Sequence, residues 1–255
     1  MWGEGSVEAD GKRLEYRGWG PAPTDGRAIV LLHEGLGCVA LWRDFPERLQ
    51  AATSQPVLAY SRAGYGQSDA DDLPRPLNWM TREAVEILPR VLSAFAITRP
   101  TLVGHSDGAS IAALAASVQP ETRAAVLMAP HFFTEDVGIA EIARADTQFR
   151  RSDMATRMAK YHRDPTATFR GWADAWLDPE FRAWTIEAAL PKITCPILAL
   201  QGRQDQYGTL AQIEAVRRNV ASAQTLVLDD CQHVPHLEQP ERTLAALLRF
   251  MQQIA

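Results

Sequence analysis

Apolar residues fall into short continuous runs along this chain, with longer stripes of helical spacing between them. The runs at 28–32 (AIVLL), 56–60 (PVLAY), 101–103 (TLV), 124–128 (AAVLM), 196–200 (PILAL) and 225–228 (TLVL) show almost no polar alternation. Strands buried on both faces of a sheet read this way. The runs at 6–9 and 13–18 differ: they alternate and flank Asp10-Gly11, a hairpin signal. Helices are predicted over 41–52, which Pro46 must start or kink, over 81–95, with Pro89 as a local fault, and over 240–254, with proline near the start. Residues 109–118 (ASIAALAASV) are small and apolar throughout, as a buried helix should be. Strands alternating with helices predict an α/β fold, a mostly parallel central sheet with helices on both faces.

Residues 130–191 break the alternation. They hold no strand-like run and are rich in helix formers, charges and large aromatics. About sixty residues is too long for a plain connection. The segment is expected to be a helical cap over the C-terminal edge of the sheet, with 1–129 and 192–255 forming the core. Most of its aromatics should fill the cap's own core. Trp172 and Trp176 are four apart and share a helical face, which makes them candidates for a pocket roof.

Between the strand at 101–103 and the helix at 109–118 stands Gly104-His105-Ser106-Asp107-Gly108, a G-x-S-x-G pattern. In that setting the glycines admit backbone too close for a Cβ. Ser106 is then pushed out at the positive end of the following helix. An activated serine needs a base and an acid to orient it. His233 follows the last strand and Asp205 follows the strand at 196–200, so both can reach the sheet's top edge. The order Ser106, Asp205, His233 is the one expected of this arrangement. Glu135 and Asp136 come several residues late for the acid, and Asp229 and Asp230 stand too near His233 in sequence. Among the remaining histidines, His105, His162 and His236 are read as structural. His131, at the opening of the cap, is placed with the substrate-facing residues.

Composition narrows the partners. The 255 residues carry a net charge of −5 and no Lys/Arg-rich run, which argues against nucleic acid and anionic membrane. Cys38, Cys195 and Cys231 are far apart and odd in number, neither a disulfide framework nor a zinc site. No leader or membrane span is evident, so a cytoplasmic chain is expected, a monomer or homodimer acting on a small molecule. His33-Glu34 lacks the second histidine of a zinc motif, so no metal is expected.

Taken together, LLHEGLG, SRAGYGQSD, GHSDG, GRQDQYG and CQHVPHLEQPE resemble the α/β-hydrolase superfamily over nearly the whole chain. Within it the chain is most similar to small cofactor-free esterases, enol-lactonases and carbon–carbon hydrolases. The resemblance implies hydrolysis of a small-molecule carboxylic ester through an acyl-enzyme, without cofactor. The backbone N–H groups of Gly35 and Asp107 would form the oxyanion hole. Cleavage of a carbon–carbon bond or an enol-lactone in aromatic catabolism is the alternative, with the same triad. Two residues depart from the family pattern: Glu34 stands where glycine is usual, and Ser61 where aspartate is usual. The side chains of Glu34 and Asp107 leave the backbone beside the oxyanion loop. Either local hydrogen bonds or Arg62 hold them, or they make the mouth negative and disfavour anionic acyl groups. Two remote readings leave Ser106, Asp205 and His233 without a joint purpose. Residues 35–40 (GLGCVA) fit a dinucleotide fingerprint, with Arg62 near a 2′-phosphate of NADP. A non-catalytic ligand receptor could also keep the fold.

Overall fold

The protein is described by a computed structural model covering residues 2–254. Strands β1 (Glu4–Ala9) and β2 (Lys12–Trp19) form the expected hairpin, and Asp10 and Gly11 take φ of 56° and 73° at its turn. Then come β3 (Arg27–Leu32), β4 (Val57–Tyr60), β5 (Arg99–His105), β6 (Ala124–Met128), β7 (Ile197–Gly202) and β8 (Ala223–Leu228). They lie in the order β1-β2-β4-β3-β5-β6-β7-β8. The first two pairings are antiparallel and the other five parallel. The chain steps from β3 outward to β4, then returns to lay β5 on the other side of β3. Ligands of open α/β sheets bind at such a reversal, beyond the strands' carboxyl ends.

The strand period of two splits the core. Val30, Leu32, Leu102 and Leu127 face one layer, while Ile29, Leu31, Val103 and Val126 face the other. On the second face lie Phe45 and Leu49 of α1 (Phe45–Thr53) and, from the chain's end, Leu247 and Phe250. The first face is covered by α2 (Trp79–Arg82), α3 (Leu88–Ala94) and α4 (Asp107–Val118). The helix expected over 41–52 is two pieces. Arg43 takes φ 56°, separating a 3-10 turn at Val39–Trp42 from α1, whose first turn holds Pro46. The fault expected at Pro89 is a wide π turn, Glu83–Ile87, joining α2 to α3. Proline has no N–H for the ladder, and the turn absorbs the missing bond.

The segment between β6 and β7 is helical: α5 (Asp136–Arg151), α6 (Met154–Met158), α7 (Pro165–Leu177) and 3-10 turns at Pro179–Ala183 and Glu187–Lys192. The Asp164 side chain accepts the Ala167 N–H, and Pro165 opens the first turn, so α7 starts where its sequence dictates. Phe149 of α5 stacks on Phe169 of α7 at 4.0 Å. The chain closes with α8 (Ala211–Asn219), α9 (Pro235–Glu238) and α10 (Pro240–Gln253). Among the described residues no helix is long and apolar enough to cross a membrane. All three cysteines are buried and unbridged.

Candidate active site

Ser106 sits between β5 and α4 with φ 54° and ψ −120°, a conformation that is strained for a residue with a side chain. Its neighbours hold it there. Its N–H donates to the Met128 carbonyl at 2.9 Å, and its carbonyl accepts from the N–H groups of Ala109 and Ser110. A Cβ on Gly104 would overlap the Gly108 carbonyl, and one on Gly108 would overlap the Leu32 carbonyl. Glycine at both places is what lets α4 press onto β5 and β3.

His233, between β8 and α9, places Nε2 2.9 Å from Ser106 Oγ. Its Nδ1 lies 2.9 and 3.0 Å from the two carboxylate oxygens of Asp205, which follows β7. The carboxylate can only accept, so Nδ1 carries hydrogen and the Nε2 lone pair faces the serine O–H. Burial pushes the Asp205 carboxyl up, but the charge and hydrogen bond of His233 outweigh it and hold the group below its ordinary value. The N–H of Tyr207 and Gln201 Nε2 donate to the same carboxylate at 2.8 and 3.2 Å. Gly202 lets the two loops meet, because a Cβ there would overlap the carbonyls of Cys231 and Gln232.

His131 is the second ring at the nucleophile, with Nε2 3.4 Å from Ser106 Oγ. Burial, helped by the nearby His233, pushes its imidazole down to about 3, so it is neutral. Ser110 Oγ holds the backbone of His131, donating to its carbonyl at 2.6 Å and accepting its N–H at 3.2 Å.

The loop after β3 is locked by Arg62. Its guanidinium donates to the carbonyls of His33 and Glu34 at 2.6 and 2.9 Å. A trans peptide carries its N–H opposite its C=O. With the Glu34 carbonyl turned to Arg62, the N–H of Gly35 points the other way. Neither that N–H nor the N–H of Asp107 has a backbone acceptor among the described residues. This placement corrects two expectations. Arg62 is 2% exposed and committed to carbonyls, so it neither holds the carboxylates of Glu34 and Asp107 nor offers itself to a 2′-phosphate. The loop also leads into a single 3-10 turn instead of the helix a dinucleotide needs. His33 uses both ring nitrogens internally: Nδ1 bonds the Glu34 carbonyl, and Nε2 accepts the N–H of Arg62. Ser61 is explained by Glu15 on β2. The Ser61 hydroxyl donates to Glu15 Oε2 at 2.6 Å and accepts the Val39 N–H at 2.9 Å. The carboxylate usual at this turn arrives from another strand.

Glu34 and Asp107, read together from the sequence, have different environments. Glu34 Oε2 lies 3.4 Å from Nδ1 of His105, whose Nε2–H donates to the His233 carbonyl at 2.7 Å. Burial pulls the His105 imidazole down and the Glu34 carboxyl up. Their mutual attraction wins in both cases, leaving His105 raised and Glu34 far below the usual carboxylate range. The Glu34 charge is thus answered locally, which removes it from a negative mouth. Asp107 has no charged partner of that kind, and burial pushes its carboxyl up to about 6 against the pull of Arg62 and of the facing Trp176 indole N–H.

The ion pair has a pH signature. Glu34, depressed when folded, adds stability above its ordinary 4.5, and this is lost as pH falls through the folded value. His105, raised when folded, adds stability in full below its ordinary 6.5, and this is lost as pH rises through its folded value. Glu34→Gln is therefore expected to cost most between pH 4.5 and 6.5. Denaturant melts of both proteins across that range and up to pH 9 check it. A difference independent of pH would mean the pair is not ionic.

A cavity of about 480 Å³, measured to its open mouth, lies over the serine. Glu34, Gly35, Ser106, Asp107, His131 and His233 line it together with Ile142, Trp172, Trp176 and Tyr207. Both tryptophans thus stand where the sequence put a roof. Four groups that the sequence reading gave no catalytic-site part also shape it: Arg62, His105, Gly202 and Tyr207. Only Gly202 carried a local signal, as a glycine closing a strand.

The chain is 23% identical to rat monoglyceride lipase, covering 94% of this chain and 86% of that one. It is 24% identical to the proline iminopeptidase of Heyndrickxia coagulans, over the full length of both. The fold superposes on the enol-lactonase of Burkholderia xenovorans with a TM-score of 0.76 at 18% identity, covering 97% of this chain and 100% of that one. The alpha/beta hydrolase family model matches residues 29–247, and the chain belongs to that family.

Proposed function

We propose that the protein hydrolyses a carboxylic ester of a small molecule through an acyl-enzyme on Ser106. The observation that carries this reading is the run of hydrogen bonds from Asp205 through His233 to Ser106 Oγ, beneath a cavity lined by Gly35 and Asp107. His233 takes the serine proton as Oγ attacks the carbonyl, and Asp205 stabilises the imidazolium. The N–H groups of Gly35 and Asp107 receive the developing oxyanion, and losing one such donor costs about 3 kcal/mol of barrier. His233 then returns the proton to the leaving alcohol and activates the water that frees the acyl group. The similarity to monoglyceride lipase supports an ester, while the iminopeptidase shares comparable identity.

Carbon–carbon or enol-lactone hydrolysis would use the same serine, base and donors. The buried Asp107 carboxyl favours the ester, since an anionic ketoacid would bring a second negative charge beside it. The deciding experiment compares a neutral p-nitrophenyl ester with its ω-carboxylate analogue. The neutral ester is expected to be several-fold better in kcat/KM. If the carboxylate analogue is better, the carbon–carbon reading returns.

We assign segment 130–191 the part of a cap that chooses the substrate. Trp172 and Trp176 are buried on one face of α7 and line the cavity. Replacing either with alanine is expected to shift the preferred acyl length more than it lowers hydrolysis of the acetyl ester. Equal losses on every ester would make them plain core.

A further inference from the structure

The cavity over Ser106 holds polar groups that hydrolysis leaves unused. Asp107 Oδ2 is buried and within hydrogen-bond geometry of no group, and the indole N–H of Trp176, which faces this carboxylate closely enough to pull it down, is likewise unbonded. The indole nitrogen of Trp172 stands at this corner too. A Cβ on Gly35 would overlap it and come within 2.9 Å of Asp107 Oδ2. Trp172, Trp176, Asp107 and Gly35 all line the cavity with the serine. Buried donors and acceptors rarely stay unpaired, so this corner calls for a ligand group.

The chemistry of that group follows from what surrounds it. An ammonium has donors only; it would suit the carboxylate but confront the indole N–H groups. A carboxylate would accept from the indoles but be repelled by Asp107. A hydroxyl has one donor and two acceptor sites, so it can donate to Asp107 and accept from an indole N–H at once. We propose that this corner is a subsite for a substrate hydroxyl lying two to four bonds from the scissile carbonyl. The proposal rests on the ester-hydrolase reading above. The corner abuts Gly35, whose N–H receives the carbonyl oxygen in that reading. The hydroxyl therefore belongs on the second or third acyl carbon, or on the neighbouring carbon of the alcohol.

The test uses two matched pairs at pH 8. Ethyl 3-hydroxybutyrate is set against ethyl butyrate, and glycerol monobutyrate against propyl butyrate, with ethyl 3-aminobutyrate as the cationic arm. One hydroxylated ester is expected to exceed its parent by at least about tenfold in kcat/KM, because a site built around a hydroxyl rejects the analogue lacking it. Which pair responds tells whether the hydroxyl is on the acyl or the alcohol side. The ratio is expected to fall towards one in Asp107→Leu and in Trp172→Phe or Trp176→Phe, each of which keeps an aromatic ring but loses the donor. Asp107→Asn, which keeps an acceptor oxygen, is expected to retain part of it. Calorimetry of the same pairs on Ser106→Ala protein reads the preference without turnover. Equal use and equal binding within both pairs, a preference that survives in the variants, or the amino ester as best substrate each overturn the subsite. Absence of turnover on every ester, with the binding preference intact, would instead overturn the ester reading and leave the hydroxyl subsite standing.

Discussion

Ser106→Ala is expected to abolish labelling by a fluorophosphonate and to lower kcat on a neutral ester by about 10⁶-fold. The wild-type protein is expected to gain a single adduct by mass spectrometry, and the alanine variant none. The size of the effect follows from the interdependence of the three groups. Without Oγ, His233 has no proton to take, and Asp205 orients a base without a task. What remains is the oxyanion donors and binding, which leave a residual acceleration over water of about 10³–10⁴. The fold should survive, because the strained φ of 54° is held by backbone bonds to Met128, Ala109 and Ser110, not by the hydroxyl. Labelling that persists in the alanine variant would move the nucleophile elsewhere.

Asp205→Asn carries the second large effect, a fall in kcat of about 10⁴ with little loss of folding. Asparagine keeps an oxygen for the N–H of Tyr207, which Asp205 accepts at 2.8 Å. Its amide nitrogen, turned to Nδ1 of His233, makes that nitrogen an acceptor. The ring hydrogen then moves to Nε2 and meets the serine O–H donor to donor. Three of the four other carboxylates are committed elsewhere: Glu135 to Thr209 and Gln212, Asp136 to Arg182, and Asp229 to Arg203. A fall of less than tenfold, about 1.4 kcal/mol, would return the acid's role to one of them.

The strands and the tight turn at Ser106 were legible because their signals are local. Short unbroken runs of five apolar residues read as buried strands, and β3 and β6 lie where those runs predicted. Gly104 and Gly108 flag a backbone approach that no other residue permits. His233 and Asp205 were placed by their positions after strands, which needs only the parallel order. What stayed hidden depends on partners far apart in sequence. Nothing near Ser61 announces that Glu15, 46 positions away, supplies its carboxylate. Nothing near Glu34 announces His105, 71 positions away. Segment 130–191 was legible as helical, but which aromatics pack on each other was not. Phe169 stacks on Phe149 and Phe181 on Trp184, while Trp172 and Trp176 face the cavity, a division set by how α5 and α7 meet.

The bridge from Glu34 through His105 to the His233 carbonyl ties the loop carrying Gly35 and the loop carrying His233 into a single mechanical body. Mutational paths through this site are accordingly epistatic. Restoring the family's glycine at position 34 strands a buried imidazole at 105, while replacing His105 alone strands the carboxylate and frees the His233 main chain. The two positions therefore have to change together. A double-mutant cycle between them would show a coupling that neither single substitution reveals, and a library varying either position by itself would mistake a structural linkage for intolerance of the chemistry.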